Sequence, residues 1–361
     1  MKPIQRTSLA ALAAAAMLGL AACGGGSAPA ESSATTSPAG SSPSEPAAAS
    51  DNKITLYSGR SEDLVQPIID QFTEATGIDV EVRYGNTAAM AAQLLEEGDK
   101  SPADVFLAQD AGALGAASSA GLFAALPESI TSVVPEAYRD GNGEWVGVTA
   151  RARVLIHNKE LAPADTLPDT VEELNGEEFK GQLGVAPTNA SFQAFITALR
   201  VLDGEDAAKQ YLADLKANDP QIREGNGGIV ADVNDGKIPF GLVNHYYLFE
   251  LAKEKGVEPD ELDAANYFFP NGDIGALVNI AGAGLVKHAA DDDGVKLLEF
   301  LLSEEGQTYF AEETSEYPML ESVPGPAGIP ALTELQVPDV DLNDLEDLET
   351  TIALITEAGL A

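Results

Sequence analysis

Lys53-Ile54-Thr55-Leu56-Tyr57, closed by Ser58-Gly59, reads as a β-strand, and its succession by regular helix and strand patterns decides the fold. Leu64, Val65, Ile68, Ile69 and Phe72 recur at helical spacing, and the run stops at Gly77. Ile78 to Tyr84 predicts a second strand. Met90, Leu94 and Leu95 mark a second helix, ended by Gly98. Ala103 to Leu107 predicts a third strand, and Ala111 to Ser119 a short third helix. Strands alternating with helices imply an α/β fold with a largely parallel sheet. Ligands of such sheets bind beyond the carboxyl ends of the strands. Gln109 and Asp110 stand at such an end.

The pattern continues past a less regular region, Leu126 to Val148. Val154-Leu155-Ile156-His157 predicts a buried strand, placed where a crossover into a second domain would fall. Gly184-Val185-Ala186 leads through Pro187 to Ala190 into a helix from about Ser191 to Leu202, then another over Ala207 to Ala217. A glycine-rich loop, Glu224 to Gly228, opens a helix ending near Asp235. Phe240 to Val243 predicts a strand. Leu277 to Val286 is apolar and glycine-broken, which suits a strand returning to the first domain. Helices over Gly294 to Leu302 and Glu304 to Glu313, an acidic stretch from Asp339 to Glu349, and an amphipathic segment over Thr350 to Ala358 complete the chain.

The 361 residues are enough for two ordinary domains, and 45% hydrophobic with 22% charged residues is a globular balance. The net charge of −38 repels phosphate backbones, so no nucleic-acid partner is expected. At the amino end, Lys2 and Arg6 precede an apolar run, Leu9 to Leu20, too short to span a bilayer as a lasting helix. Leu20-Ala21-Ala22-Cys23 looks like the lipobox of bacterial lipoproteins. Residues 1–22 are therefore expected to be a lipoprotein signal peptide, and Cys23 the lipidated residue. Cys23 is the only cysteine, so no internal disulfide can form. Residues 23–52, rich in Gly, Ser, Ala and Pro, have no apolar period and read as a flexible tether.

The chemistry-bearing stretch is Asn244-His245-Tyr246-Tyr247, just before a helical run from Leu248 to Lys255. Phenolate is a hard anionic oxygen donor, better suited to ferric iron than to zinc. Taken alone, such a pair is usually a pair of half-buried packing residues, and the rest of the chain is what favours a metal.

From about Lys53 to Leu360 the chain resembles the ferric-iron-binding proteins of bacterial ABC importers. Four stretches carry the resemblance: Leu56 to Arg60, Pro102 to Phe106, Arg151 to Val154, and Asn244 to Tyr247 with Leu251 to Gly256 downstream. Glu316-Tyr317-Pro318 fits a late family motif. The resemblance implies a type 2 periplasmic-binding-protein fold: two α/β lobes joined by two crossing strands, with a ligand cleft between them. Lobe 1 would comprise 53–150 with 277–326, and lobe 2 would comprise 151–276 with 327–361. It implies a monomeric, extracytoplasmic solute-binding component that passes Fe(III) to an ABC permease with its ATPase. The membrane would be reached through the lipid anchor alone.

Tyr246 and Tyr247 match the family's iron-binding tyrosines. Elsewhere the chain departs from the family's best-known members, with Ser61 where those have histidine and Gln109, with Asp110 beside it, where those have glutamate. His157 stands where some branches add a third tyrosine. It is either a ligand or a hydrogen-bonded core histidine, whereas His245 reads as a structural neighbour. Carbonate or phosphate would fill the remaining positions. Arg60, Ser61, Asn189, Ala190, Ser191, Asn226 and Asn244 are the candidates to hold it, the middle three at a predicted helix N-terminus. Arg60 is open to a second reading as a surface arginine, and Arg151 and Arg153 read as hinge braces.

Three other readings compete. A receptor for a phosphonate-type or other organic anion would share the fold but lack the paired tyrosines. An exported hydrolase is disfavoured by the lack of Gly-x-Ser-x-Gly, His-Glu-x-x-His or P-loop motifs, and by only three histidines. A structural lipoprotein would bind nothing.

Overall fold

The computed structural model describes residues 51–289 and 292–361. The signal peptide, Cys23 and all but the end of the tether lie outside the described residues.

The first half runs β1 (Lys53–Ser58), α1 (Glu62–Thr76), β2 (Asp79–Tyr84), α2 (Thr87–Glu97), β3 (Val105–Ala108), α3 (Ala111–Ser119), α4 (Glu128–Thr131) and β4 (Trp145–Asn158). Then come β5 (Leu183–Val185), α5 (Ala190–Asp203), α6 (Glu205–Ala217), β6 (Gln221–Ile222), α7 (Asn226–Asn234), β7 (Phe240–Asn244), α8 (Tyr247–Lys255) and β8 (Ala264–Tyr267). The chain closes with β9 (Val278–Leu285), α9 (Asp293–Leu301), α10 (Glu304–Glu313), β10 (Tyr317–Pro318) and α11 (Leu348–Glu357). The α/β expectation holds.

Local chemistry sets several of these boundaries. Val65, Ile68, Ile69 and Phe72 form the buried stripe of α1, and Gly77 ends the helix at φ +73°, a left-handed conformation that favours glycine. Asn86, Asp110, Asn189 and Ser303 each cap a helix with a side-chain oxygen that accepts from a first-turn N–H.

Two parallel groups meet through antiparallel strands. β1 lies between β2 and β3, and β5 lies between β6 and β7, all parallel. β9 runs antiparallel to β3 and β4, and β4 antiparallel to β7. β4 therefore belongs to both groups: Trp145 to Ala152 pairs with β9, and Arg153 to His157 with β7. All fourteen of its residues are buried. The sequence reading placed only Val154 to His157 in a strand. A bulge between Gly147 and Thr149 and two arginines hide the rest of the pattern.

Those arginines sit in a dry interior. Arg153 lies over Phe195 at 4.9 Å and Phe192 at 5.6 Å, and its Nη1 donates to the Ser191 carbonyl at 3.1 Å. Such stacking is worth about 2 kcal/mol when desolvated. Behind the sheets, the 3₁₀ turn Leu342–Glu346 packs on α3 so closely that a Cβ on Gly112 would collide with the Leu345 carbonyl oxygen. α11 packs instead on α5, through Thr197 to Thr351 at 2.8 Å and Arg200 to Asp347 at 2.7 Å. The C-terminal stretch therefore touches helices of both strand groups.

His245 pins three segments next to the end of β7. Its Nε2–H donates to the Ser315 carbonyl at 2.8 Å, and its Nδ1 accepts from the Ala152 N–H at 3.2 Å. Ser315 has φ +54°, a left-handed conformation that this bond helps to hold. The ring is fully buried, and burial pushes its pKa down to about 4. An unfolded histidine titrates near 6.5, so on acidification the unfolded chain takes up this proton first. Stability is then lost as pH falls from about 6.5 to about 4, by up to roughly 3 kcal/mol. In urea titrations across that range, His245→Gln should show a shallower fall in stability than the parent. An equally steep fall would remove His245 as a source of acid sensitivity.

Candidate metal centre

The residues just beyond several strand ends converge. Arg60 and Ser61 after β1, Gln109 after β3, Asn189 after β5, and Tyr246 with Tyr247 after β7 line one cleft of about 820 Å³. Each lies at or next to the start of a helix, as the rule for open α/β sheets requires. The tyrosine pair arises because β7 ends at Asn244 and α8 begins at Tyr247, which leaves no room for a loop. Their rings stack with centroids 4.4 Å apart and planes 27° apart, which brings two phenol groups to one place.

The electrostatics of the cleft favour protonated phenols until a cation arrives. Tyr246 is 1% exposed, and burial, then the neighbouring Tyr247, raise its pKa well above the ordinary value. Burial also raises that of Tyr247. Arg60 is 4% exposed and is no surface arginine. Burial alone would lower its pKa, but Glu316, whose Oε2 accepts from its Nη2 at 2.7 Å, raises it. Thr314 also donates to that oxygen, at 3.2 Å. Removing one partner of such a buried pair costs about 3–5 kcal/mol.

Buried donors without a partner surround the pair. Arg60 Nη1, Arg151 Nε and Nη1, and Asn244 Nδ2 have none among the described residues. Arg151 lies beside Asn279 across β9, and Arg153 beside Asn244 across β7. Burial lowers the pKa of Arg151 and Arg153, the latter to about 10, which leaves Arg153 cationic at neutral pH. Two hard oxygen donors beside unsatisfied cationic and amide N–H groups fit a trivalent cation with an accompanying anion. No cluster of three His, Cys, Asp or Glu residues with metal-ligand geometry occurs among the described residues.

Several expected residues stand elsewhere. His157 is a correction: it does not line the cleft but pairs with Phe240 toward the far end of β4, four residues and about 13 Å along the strand beyond Arg153. Its Nδ1–H donates to the Ala162 carbonyl at 2.7 Å, the bond of a structural histidine. Asp110 does not line the cleft either. Its carboxylate accepts from the Ala113 N–H at 3.0 Å to cap α3, and with Ala190 it faces a separate small cavity. Ser191 and Asn226 form a support, since the Ser191 hydroxyl donates to Asn189 Oδ1 at 2.7 Å and accepts from Asn226 Nδ2 at 3.1 Å. The Ser191 N–H is likewise taken by Asn189.

The sequence reading missed Glu250, which lines the cleft. Burial pushes its carboxyl up to about 7 against the opposing pull of Arg60. The available signal was its spacing, three and four residues after the tyrosines on a predicted helix. It also missed the Lys253–Glu313 ion pair at 2.9 Å, in the wall shared with a second cavity of about 620 Å³.

Known proteins share this architecture. The family described as bacterial extracellular solute-binding protein matches residues 67–337. Over 317 residues, 87% of this chain and 92% of the relative, the chain is 32% identical to the Fe(3+)-binding periplasmic protein of Serratia marcescens. Iron-bound HitA from Pseudomonas aeruginosa superposes with a TM-score of 0.79 at 32% identity, over 85% of this chain and 99% of that one. A Trichodesmium protein (IdiA, FutA) in complex with iron and citrate superposes with a TM-score of 0.71 at 29% identity, over 86% and 100%. These likenesses give the chain the type 2 periplasmic-binding-protein fold. With three quarters of its length inside the family's span, the chain belongs to the bacterial extracellular solute-binding protein family.

Proposed function

We propose that this chain captures Fe(III) outside the cytoplasm, with carbonate or phosphate as companion anion, and delivers it to an ABC importer. The observation that carries the reading is the stacked, buried pair Tyr246 and Tyr247 in a cleft that Arg60 lines with an unpaired Nη1. Ferric ion replaces the phenol protons and turns both side chains into hard anionic donors. Arg60, Arg151 and Asn244 then offer N–H groups to the anion that completes the coordination. The chain acts as a binding protein and not as an enzyme. Its relatives in Serratia and Pseudomonas are named or solved as iron binders, which favours the cation over a phosphonate-type solute.

The two strand groups act as lobes, lobe 1 from 53–150 with 277–326 and lobe 2 from 151–276 with 327–361, working as a monomer. Tyr246 and Tyr247 stand on one, Arg60 and Gln109 on the other. Only a closed cleft lets both sets of contacts form, so the ion favours closure. A permease with its ATPase reads the closed form. Cys23, the one cysteine, receives the lipid that holds the exported chain at the outer face of the membrane.

Titrating the purified protein with a ferric salt in carbonate or phosphate should give a tyrosinate-to-iron colour that saturates near one equivalent. Tyr246→Phe/Tyr247→Phe should abolish it and weaken binding by more than the roughly 10–100-fold that outer-shell losses cost. Because two phenol protons leave per ion, log affinity should fall by up to about 2 for each pH unit of acidification. Absence of colour in both anions would sink the ferric reading. Closure predicts a smaller radius of gyration in X-ray scattering once iron and anion are both present, and an unchanged radius argues against it. Labelled palmitate should enter the parent protein in bacterial cells but not Cys23→Ser, and equal labelling would refute the anchor.

A further inference from the structure

The ferric site proposed for this cleft has two protein donors and a shortage of negative charge. Two phenolates leave a ferric ion with one positive charge, and Arg60 and Arg151 add two more close by. Glu316 offsets one of these through its pair with Arg60. On the facing wall Gln109 is neutral, and Asp110 is turned into the cap of α3.

Other carboxylates around the cleft are engaged or solvated. Glu316 is held by Arg60 and Thr314. Glu313 is exposed and paired with Lys253. Asp63 is exposed. Glu250 differs from all of them: it lines the cleft, it is half-buried, and its carboxylate makes no hydrogen bond or ion pair among the described residues. It follows Tyr246 by four residues and Tyr247 by three on α8. Side chains at those spacings share one helix face and lean toward the helix N-terminus. That spacing puts the Glu250 carboxylate within reach of the phenol pair, and its charge is felt at Tyr247.

We infer that Glu250 is the third protein donor to the ferric ion, a carboxylate supplied by the same helix that presents both tyrosines. This rests on the ferric reading of the cleft. A carboxylate is a hard oxygen donor of the kind such an ion prefers. It brings the negative charge that Gln109 does not, and it comes from the tyrosine wall, so three donors are assembled before the cleft closes. Iron can be held by one wall alone, and the opposite wall then contributes Arg60, Ser61 and Gln109 to the anion and to closure.

The test is a ferric titration of the full-length protein in carbonate, comparing the parent with Glu250→Gln and Glu250→Asp. Far-UV circular dichroism and the thermal midpoint check that each variant is folded. If Glu250 ligates, Glu250→Gln binds iron at least 10-fold more weakly. Its tyrosinate-to-iron band moves to longer wavelength, because a ferric ion with one anionic donor fewer accepts phenolate charge more readily. Glu250→Asp recovers part of both effects. Weaker binding with an unmoved band would overturn the inference, because a carboxylate acting only through its field changes affinity without changing the donor set. Unchanged affinity would overturn it as well. Failure of the ferric reading itself looks different: the parent protein then shows no colour at all.

Discussion

A strand buried along its whole length constrains everything near it. β4 has neighbours on both sides, no solvent-facing residue, and a place in both halves of the sheet. Such a strand is ordinarily apolar throughout. This one carries two guanidinium groups, and the surrounding structure is arranged to tolerate them: aromatic rings and the Ser191 carbonyl for Arg153, the neighbouring Tyr246, Glu316 and Asp110 for Arg151. Their remaining N–H groups are unpaired, and a buried cation with unsatisfied donors is costly unless an anion meets it. Arg60, whose Nη1 is likewise unpaired, lines the cleft, where an incoming anion can relieve such a cost.

The same logic explains why the phenols are buried. A tyrosine near water deprotonates at its ordinary pKa and attracts any cation weakly. Tyr246, shut away from solvent, keeps its proton against all but a strongly polarising ion. Burial thus selects for charge density as well as for donor type. Arg60 and Arg151 lean the other way and favour the phenolates once formed. The site is held between opposing fields, and the ion decides the outcome.

Much of this was legible in the sequence, for identifiable reasons. The run from Lys53 to Ser119 alternates because each strand and helix buries a regular stripe, and periodicity is what a sequence displays most clearly. Tyr246 and Tyr247 were legible because adjacency in sequence became adjacency in space across a strand-to-helix junction. The first part of β4 was hidden because Arg151 and Arg153 break an apolar run that the fold nevertheless buries. His157 attracted attention by its residue type, but a sequence does not say which end of a strand faces a cleft. Asp110 failed for another reason: its carboxylate was already committed to a helix cap. Glu250 was camouflaged among 58 acidic residues, most of which have no special surroundings.

The way the cleft is assembled also bears on how its preferences can change over evolutionary time. Ser61, Gln109 and Asn189 each sit on a separate short connection at the rim, outside the packed core. Any of them can be exchanged without repacking a strand, so the accompanying anion is open to drift. His245 is sealed between β4 and the Ser315 turn and Tyr246 is buried beside it, so exchanging either disturbs the core itself. A lineage built on this scaffold can therefore retune its companion ligand in single steps, while its choice of metal is bound to the integrity of the fold.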